Sequence, residues 1–259
     1  MLRGLIKISF LIITSTALFA QDYVMFQTSI LKLRSGEHAK LQAGVKKHND
    51  KFHNGEDGPK AYLWYINTGP NSGNYSWAAG PTTFSHMDKA FPNDHIKDWE
   101  KNVSPYADEN NIIFMMRDEE MTYNPENEVV AENILMKRIP IKNGQMHVEA
   151  VEEAVTKIAR ALRRTRSNIA RRVYRDAFPD GHEEIMLVYP FSSWTEFEGG
   201  VRGLPEGFQD SYEKIYGKGS FRKDVIDVLS KHTDGISHEV MTMVKYCLLY
   251  TSPSPRDRG

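Results

Sequence analysis

Apolar positions along this chain switch between a two-residue and a helical period, and the order of the switches predicts its elements. Tyr23–Leu31 is rich in β-formers and ends at the turn residues Ser35-Gly36, so it reads as a strand. From Glu37 to Phe52 the spacing turns helical. Leu41, Val45, His48 and Phe52 fall on one face, and Asn54-Gly55 with Gly58-Pro59 stops the helix. Ala61–Asn67 and Asn74–Ala79 read as two aromatic strands joined by the loop Gly69–Gly73. Pro81, which has no N–H for a ladder, is expected to end the second of them. Thr82 or Thr83 can cap the helical stretch that follows. A second helix is expected from Asp94, with Ile96, Trp99 and Val103 on its buried face, and Asn111–Arg117 as a closing strand.

The second half repeats that order. Asn133–Ile141 reads as a strand. Val148–Leu162 is the clearest helix, with Val148, Val151, Val155, Ile158 and Leu162 as its apolar stripe. Its early glutamates and late arginines suit the helix dipole. Arg171–Phe178 and Glu183–Tyr189 flank the turn Pro179-Asp180-Gly181. Pro190 takes the part of Pro81, and Ser193-Trp-Thr-Glu196 is a capping box. Asp224–Ser230 is expected to be helical and Ile236–Tyr246 to be the last strand. Each half contains a strand, then Pro, a hydroxyl residue and an aromatic: Gly80-Pro-Thr-Thr-Phe84 and Tyr189-Pro-Phe-Ser-Ser-Trp194.

The expected fold class is therefore α+β: two tandem β-α-β-β-α-β ferredoxin-like units, residues 21–126 and 127–246. This order resembles the dimeric α/β-barrel superfamily, which includes antibiotic-biosynthesis-monooxygenase-like domains. That resemblance implies that the two units pair sheet against sheet, here within one chain. The segments His48-Asn-Asp-Lys-Phe-His53, Gly69–Gly73 with Trp77, Ser193-Trp-Thr-Glu-Phe197 and Tyr216-Gly-Lys-Gly-Ser-Phe221 are similar to a family of exported Bacteroidota-type proteins. This second resemblance bears on compartment and fold more than on activity.

The ends of the chain qualify the composition. Met1–Ala20 has a positive region (Arg3, Lys7), an apolar core (Ile8–Phe19) and a small residue before Gln21, as in a cleavable signal peptide. A periplasmic or extracellular location is the expectation, without stable membrane insertion. Residues 247–259, beginning Cys247-Leu-Leu-Tyr-Thr-Ser-Pro-Ser-Pro-Arg, resemble a translated sequencing adapter and are set aside. The single cysteine of the chain is Cys247, so it supports no redox chemistry in the remainder. The formal net charge is −1, and it becomes more acidic without the two ends. That balance speaks against a nucleic-acid partner.

Candidate chemistry is sparse. His48 on an apolar helical face can serve as an acid or a base. His53 lies five positions on, roughly 140° around a helix, so the two are not expected to share a metal, and no metal site is expected. Tyr62 and Trp64 share one strand face, as do Tyr75 and Trp77, and such a face can stack on a planar ligand. Asn67 and His86 lie near the two ends of this hairpin. The arginines Arg160, Arg163, Arg164, Arg166, Arg171, Arg172 and Arg175 read either as an anion site or as a solvated helix end with an outward strand face. No phosphate loop or nucleophile elbow is present.

The leading expectation is an exported small-molecule-binding protein. Its ligand-binding residues would be His48, Trp64, Trp77, His86 and Asn67, in a pocket of the first unit. The superfamily resemblance alone implies a second expectation, a monooxygenase-like or haem-handling enzyme with haem as cofactor and His48 as its ligand. A third is a non-catalytic module in which the aromatic faces join the halves. The oligomeric state is left open.

Overall fold

The structure is a computed structural model that describes residues 23–55, 58–89, 92–198 and 203–245. The expected leader at 1–20 and the adapter-like tail at 247–259 lie outside the described residues. In the first unit, strands β1 (Met25–Leu33), β2 (Ala61–Ile66), β3 (Tyr75–Thr82) and β4 (Ala107–Arg117) alternate with helices α1 (His38–Phe52), α2 (Phe84–Met87) and α3 (Asn93–Asn102). In the second unit the strands are β5 (Asn133–Pro140), β6 (Arg172–Asp176), β7 (Glu184–Phe191) and β8 (Ser237–Met243). Its helices are α4 (Gln145–Thr165), α5 (Phe208–Tyr216) and α6 (Asp227–His232). No helix among the described residues is long and apolar enough to cross a membrane.

Each unit forms an antiparallel sheet with the same internal order, β4-β1-β3-β2 and β8-β5-β7-β6. The two sheets do not remain separate layers. Their edges pair, β2 with β8 and β4 with β6, and close one eight-stranded barrel. The seams are short: Trp64↔Met243 and Ile66↔Met241 on one side, Met115↔Asp176 and Arg117↔Tyr174 on the other. Closure satisfies four sheet edges that would otherwise present unpaired N–H and C=O groups.

Two expectations about strand ends are corrected. β3 continues through Pro81 to Thr82, and β7 continues through Pro190 to Phe191. β3 passes Pro81 where its ladder with β1 is already irregular: Thr82 pairs with Met25 and Ala79 with Gln27, across a register shift. The missing N–H of proline therefore interrupts pairing without ending the strand. α5 was not foreseen. The last helix begins as a π-turn over Arg222–Ile226 before α6. The capping box at Ser193 is present, but it opens only a 3-10 turn over Trp194–Phe197.

Burial follows from the barrel. Side chains alternate between a lumen and an outer face covered by helices, so both faces are apolar. The lumen holds Phe26, Trp64, Met115, Met136, Tyr174 and Met241. Outside, α1 and α3 cover Leu31, Leu63, Tyr75 and Trp77. α4 covers Leu135, Val173, Ile185 and Leu187 with Val148, Val151 and Val155, and the rest of its expected stripe, Ile158 and Leu162, packs against α5.

The arginine cluster divides: Arg160, Arg163, Arg164 and Arg166 are exposed at the end of α4, the solvated helix end expected, but the strand residues do not face outward. Arg171 and Arg172 are buried. Arg171 donates to the Met121 and Val155 carbonyls at 3.1 and 2.7 Å. Arg163 donates to the carbonyls of Glu119, Glu120 and Thr122. Arg172 donates to the Val129 carbonyl at 3.1 Å and to Glu128 at 3.2 Å. These guanidinium groups pin the segment between β4 and β5, which has no ladder of its own, against the second unit. That segment also accepts the Trp64 Nε1–H at the Ala131 carbonyl, 3.1 Å away, so it lies against the lumen. Replacing Arg171 by Leu removes the donor to two buried carbonyls, of which Val155 keeps its bond within α4, and is expected to cost about 1–3 kcal/mol in urea unfolding. Arg160→Ala removes only an exposed pair with Glu120 and is expected to leave the urea midpoint almost unchanged.

Candidate functional site

Two cavities arise from this architecture. The lumen encloses about 450 Å³ between Phe26, Trp64, Met115, Tyr174 and Met186. Among its polar groups, Trp64 is matched by the Ala131 carbonyl and Arg138 by Glu184 at 2.8 Å, while Ser29 Oγ is buried without a partner. The second cavity, about 190 Å³, lies on the outer face of the first unit, between its sheet and the helices α2 and α3. Trp77, Trp99, His53 and His95 form its walls and floor, with His86 beside them. Ile96 and Ile112 line it with 51% and 54% of their surface exposed, which leaves an apolar rim.

Close contact between α1 and α3 builds the floor. Gly44 on α1 lies against α3, where a Cβ would come within 1.8 Å of the Asn102 carbonyl oxygen. That approach places His48, fully buried, against Asp98, His95 and Trp99 of α3. The His48 Nδ1–H donates to Asp98 Oδ1 at 3.0 Å. α1 ends at Phe52, and the cap residue His53 has φ −127° and ψ 7°. The helical rotation that separates positions 48 and 53 therefore stops one residue early, and the His53 ring turns back to 5.4 Å from that of His48. Its Nδ1–H donates to the Pro59 carbonyl at 3.1 Å, and its Nε2 stands 3.3 Å from His95 Nε2.

Electrostatics keeps this cluster uncharged. Burial pushes His48 below the usual imidazole range, against the opposing pull of Asp98. Burial does the same to His53 and His95, and the neighbouring imidazoles add to it. Burial works to raise Asp98, but hydrogen bonds from His48 and Asn102, with Lys51 nearby, hold it below the usual carboxylate range.

The five residues expected from the sequence divide between places. Trp77 and His86 meet at the outer pocket, with His48 one layer beneath. Trp64 points into the lumen instead, because Trp64 pairs with Ser76 and Leu63 with Trp77, which puts the two indoles on opposite faces of the sheet. Asn67 lies at the β2–β8 seam, where its Nδ2 donates to Thr242 Oγ1 at 3.0 Å. The shared faces of Tyr62 with Trp64 and of Tyr75 with Trp77 are present, but they are different faces. Ile96, expected on the buried side of its helix, stands at the pocket rim. Sequence reading missed His53 as a partner, missed His95 and Asp98, and put Trp99 on a buried face without assigning it to a site. His95 and Trp99 are four apart on α3, a spacing that could have marked them.

His48 is enclosed by the rings of Phe52, His53, His95 and Trp99 at centroid distances of 4.5–5.4 Å, counting His95 as the nearest. That packing leaves no open face for a macrocycle, so these residues do not fit haem.

No family model and no curated protein matches the sequence. Among solved structures, the chain is similar to an anthrone oxidase-like protein, with a TM-score of 0.55 and 11% identity over 87% of this chain and 93% of that one. It also aligns with a mutant chlorite dismutase from Candidatus Nitrospira defluvii in complex with cyanide, at a TM-score of 0.49 and 10% identity over 86% and 91%. The first likeness is one of fold. The chain has the fold of the dimeric α/β-barrel kind that was expected, with both four-stranded sheets in one polypeptide.

One polar relay holds the back wall of the pocket. Trp77 Nε1–H donates to Asn49 Oδ1 at 3.1 Å, and Asn49 Nδ2 donates to the Ala61 carbonyl at 3.2 Å. Asn49→Leu orphans both groups and is expected to cost roughly 2–4 kcal/mol in urea unfolding. Adding Trp77→Phe, which removes the stranded N–H, is expected to return part of that loss. Equal costs for the single and double variants would show that the relay is not coupled.

Proposed function

We propose that this is an exported protein that holds a small, apolar, single-ring aromatic molecule in the outer pocket of the first unit. The observation that carries the reading is that pocket itself. Two indoles and two neutral imidazoles surround about 190 Å³ of space that opens through an apolar rim. An engineered apolar cavity of about 150 Å³ accepts benzene, so one ring is the right scale. Trp77 and Trp99 stand edge to face at 5.2 Å and offer a ring both an edge and a face to pack on. The lumen is larger, but it lacks the convergence of imidazoles with shifted pKa values that marks a working site. Export is supported by the charged, apolar and small-residue regions of Met1–Ala20.

A thermal-shift screen of phenols, benzoates and small indoles is expected to raise Tm for at least one of them. Ile96→Trp or Ile112→Trp, at exposed positions on the rim, is expected to abolish the shift without lowering the Tm of the free protein. Trp64→Phe is expected to leave it intact. Loss of the shift in Trp64→Phe, with retention in both rim variants, would move the ligand to the lumen and overturn the reading. Export has its own check: N-terminal sequencing of protein recovered outside the cytoplasm is expected to start at Gln21.

A further inference from the structure

We propose that His48, His53 and His95 bind one divalent transition-metal ion of the zinc class through their three Nε2 atoms. One candidate ligand atom from each of the three lies within 4.8 Å of the other two. His53 Nε2 and His95 Nε2 already stand 3.3 Å apart. That is close to the separation, about 3.4 Å, of two nitrogens bound at 2.0–2.1 Å to one tetrahedral ion. His48 Nε2 is buried and has no hydrogen-bond partner.

The outer contacts fix which nitrogen His48 and His53 present; His95 Nε2, which shares a hydrogen bond with His53 Nε2, gives up that bond to the ion. The Asp98 carboxylate takes the His48 Nδ1–H and the Pro59 carbonyl takes the His53 Nδ1–H, so both Nε2 atoms carry lone pairs. A carboxylate or carbonyl behind each imidazole is the usual support of a metal-bound histidine. Without an ion, three imidazoles crowd one another while His48 Nε2 forgoes a partner, which is costly for a buried polar atom. An all-imidazole set suits zinc, copper, nickel or iron rather than magnesium or calcium. Three protein ligands leave a fourth position for water or another donor. His53 and His95 both line the outer pocket, so that position lies on the pocket side. The inference stands whether or not an aromatic molecule occupies the pocket.

The test uses the purified, chelator-washed protein titrated with Zn²⁺ in competition with a chromophoric chelator. One equivalent is expected to bind and to raise Tm. His95→Gln, at a partly exposed position, and His53→Gln are each expected to weaken binding at least about 100-fold. Asp98→Asn is expected to weaken it roughly 10- to 100-fold. Circular dichroism and metal-free unfolding show that each variant is folded. Co²⁺ in place of Zn²⁺ is expected to give visible d–d absorption that His95→Gln removes. Ile96→Trp is expected to leave zinc binding unchanged, which separates a failure here from a failure of the aromatic-ligand reading. Absence of stoichiometric binding, or binding that survives both histidine substitutions in folded protein, overturns the proposal.

Discussion

Closure of the barrel is the constraint on which the rest of the molecule depends. A β-α-β-β-α-β unit builds a four-stranded sheet with two open edges and one helix-covered face. Left alone, the first unit would expose the edges of β2 and β4 and the apolar surface around Trp64 and Met115. The second unit supplies β8 and β6 to those edges and its own apolar face to that surface. The seams are short, so hydrogen bonds along them are a small part of what joins the units. The lumen, apolar from both sides, and the arginine-pinned segment across it supply the rest.

That constraint also decides what the outer face can do. Once the lumen face of each strand is committed to joining the units, ligand chemistry on the first unit has one other place to form: between the sheet and its helices. There α1 departs from an ordinary packing helix. Gly44 lets α3 come close, Asn49 turns its amide to Trp77, and His48 gives its Nδ1 proton to Asp98. These residues sit at positions where an aliphatic side chain would pack more simply. A buried polar relay costs stability unless every member is paired, so it marks a place where packing yields to another requirement.

Much of the fold was legible in the sequence because the period of the apolar residues reports local structure directly. The Leu41–Val45–His48 face gave α1 and the Val148–Leu162 stripe gave α4. The repeated strand–Pro–hydroxyl–aromatic element gave the duplication. The site was only half legible, for a physical reason. Alternation shows that Trp64 and Tyr62 share a face, but the face chosen depends on the hairpin register, which sets Trp64 opposite Ser76 and Leu63 opposite Trp77. The His48–His53 relation was misread because a helical wheel assumes that the helix continues, and this one ends at Phe52. His95 and Asp98 reach His48 only through a helix–helix contact some fifty residues away in the chain, which local spacing does not encode.

The two units, alike in topology, have divided their labour, and the division follows from how each fills the space under its helices. In the second unit α4 lays Val151 and Val155 along the sheet and Ile158 and Leu162 against α5, and Arg171 reaches under it to tie the inter-unit segment to the helix backbone. Its imidazoles number two, His147 and His232, with their Nδ1 atoms 2.8 Å apart, and no second group of three metal-ligating side chains occurs among the described residues. In the first unit the corresponding layer holds three histidines, an asparagine, two indoles and a cavity. A duplicated fold can tolerate such a layer because the other half supplies a well-packed partner sheet. The same polar layer in a single free-standing unit would have to be stabilised by about half as much apolar burial. The placement of the candidate chemistry in one half, and of the arginine clamp in the other, is therefore a consequence of joining two units in one chain.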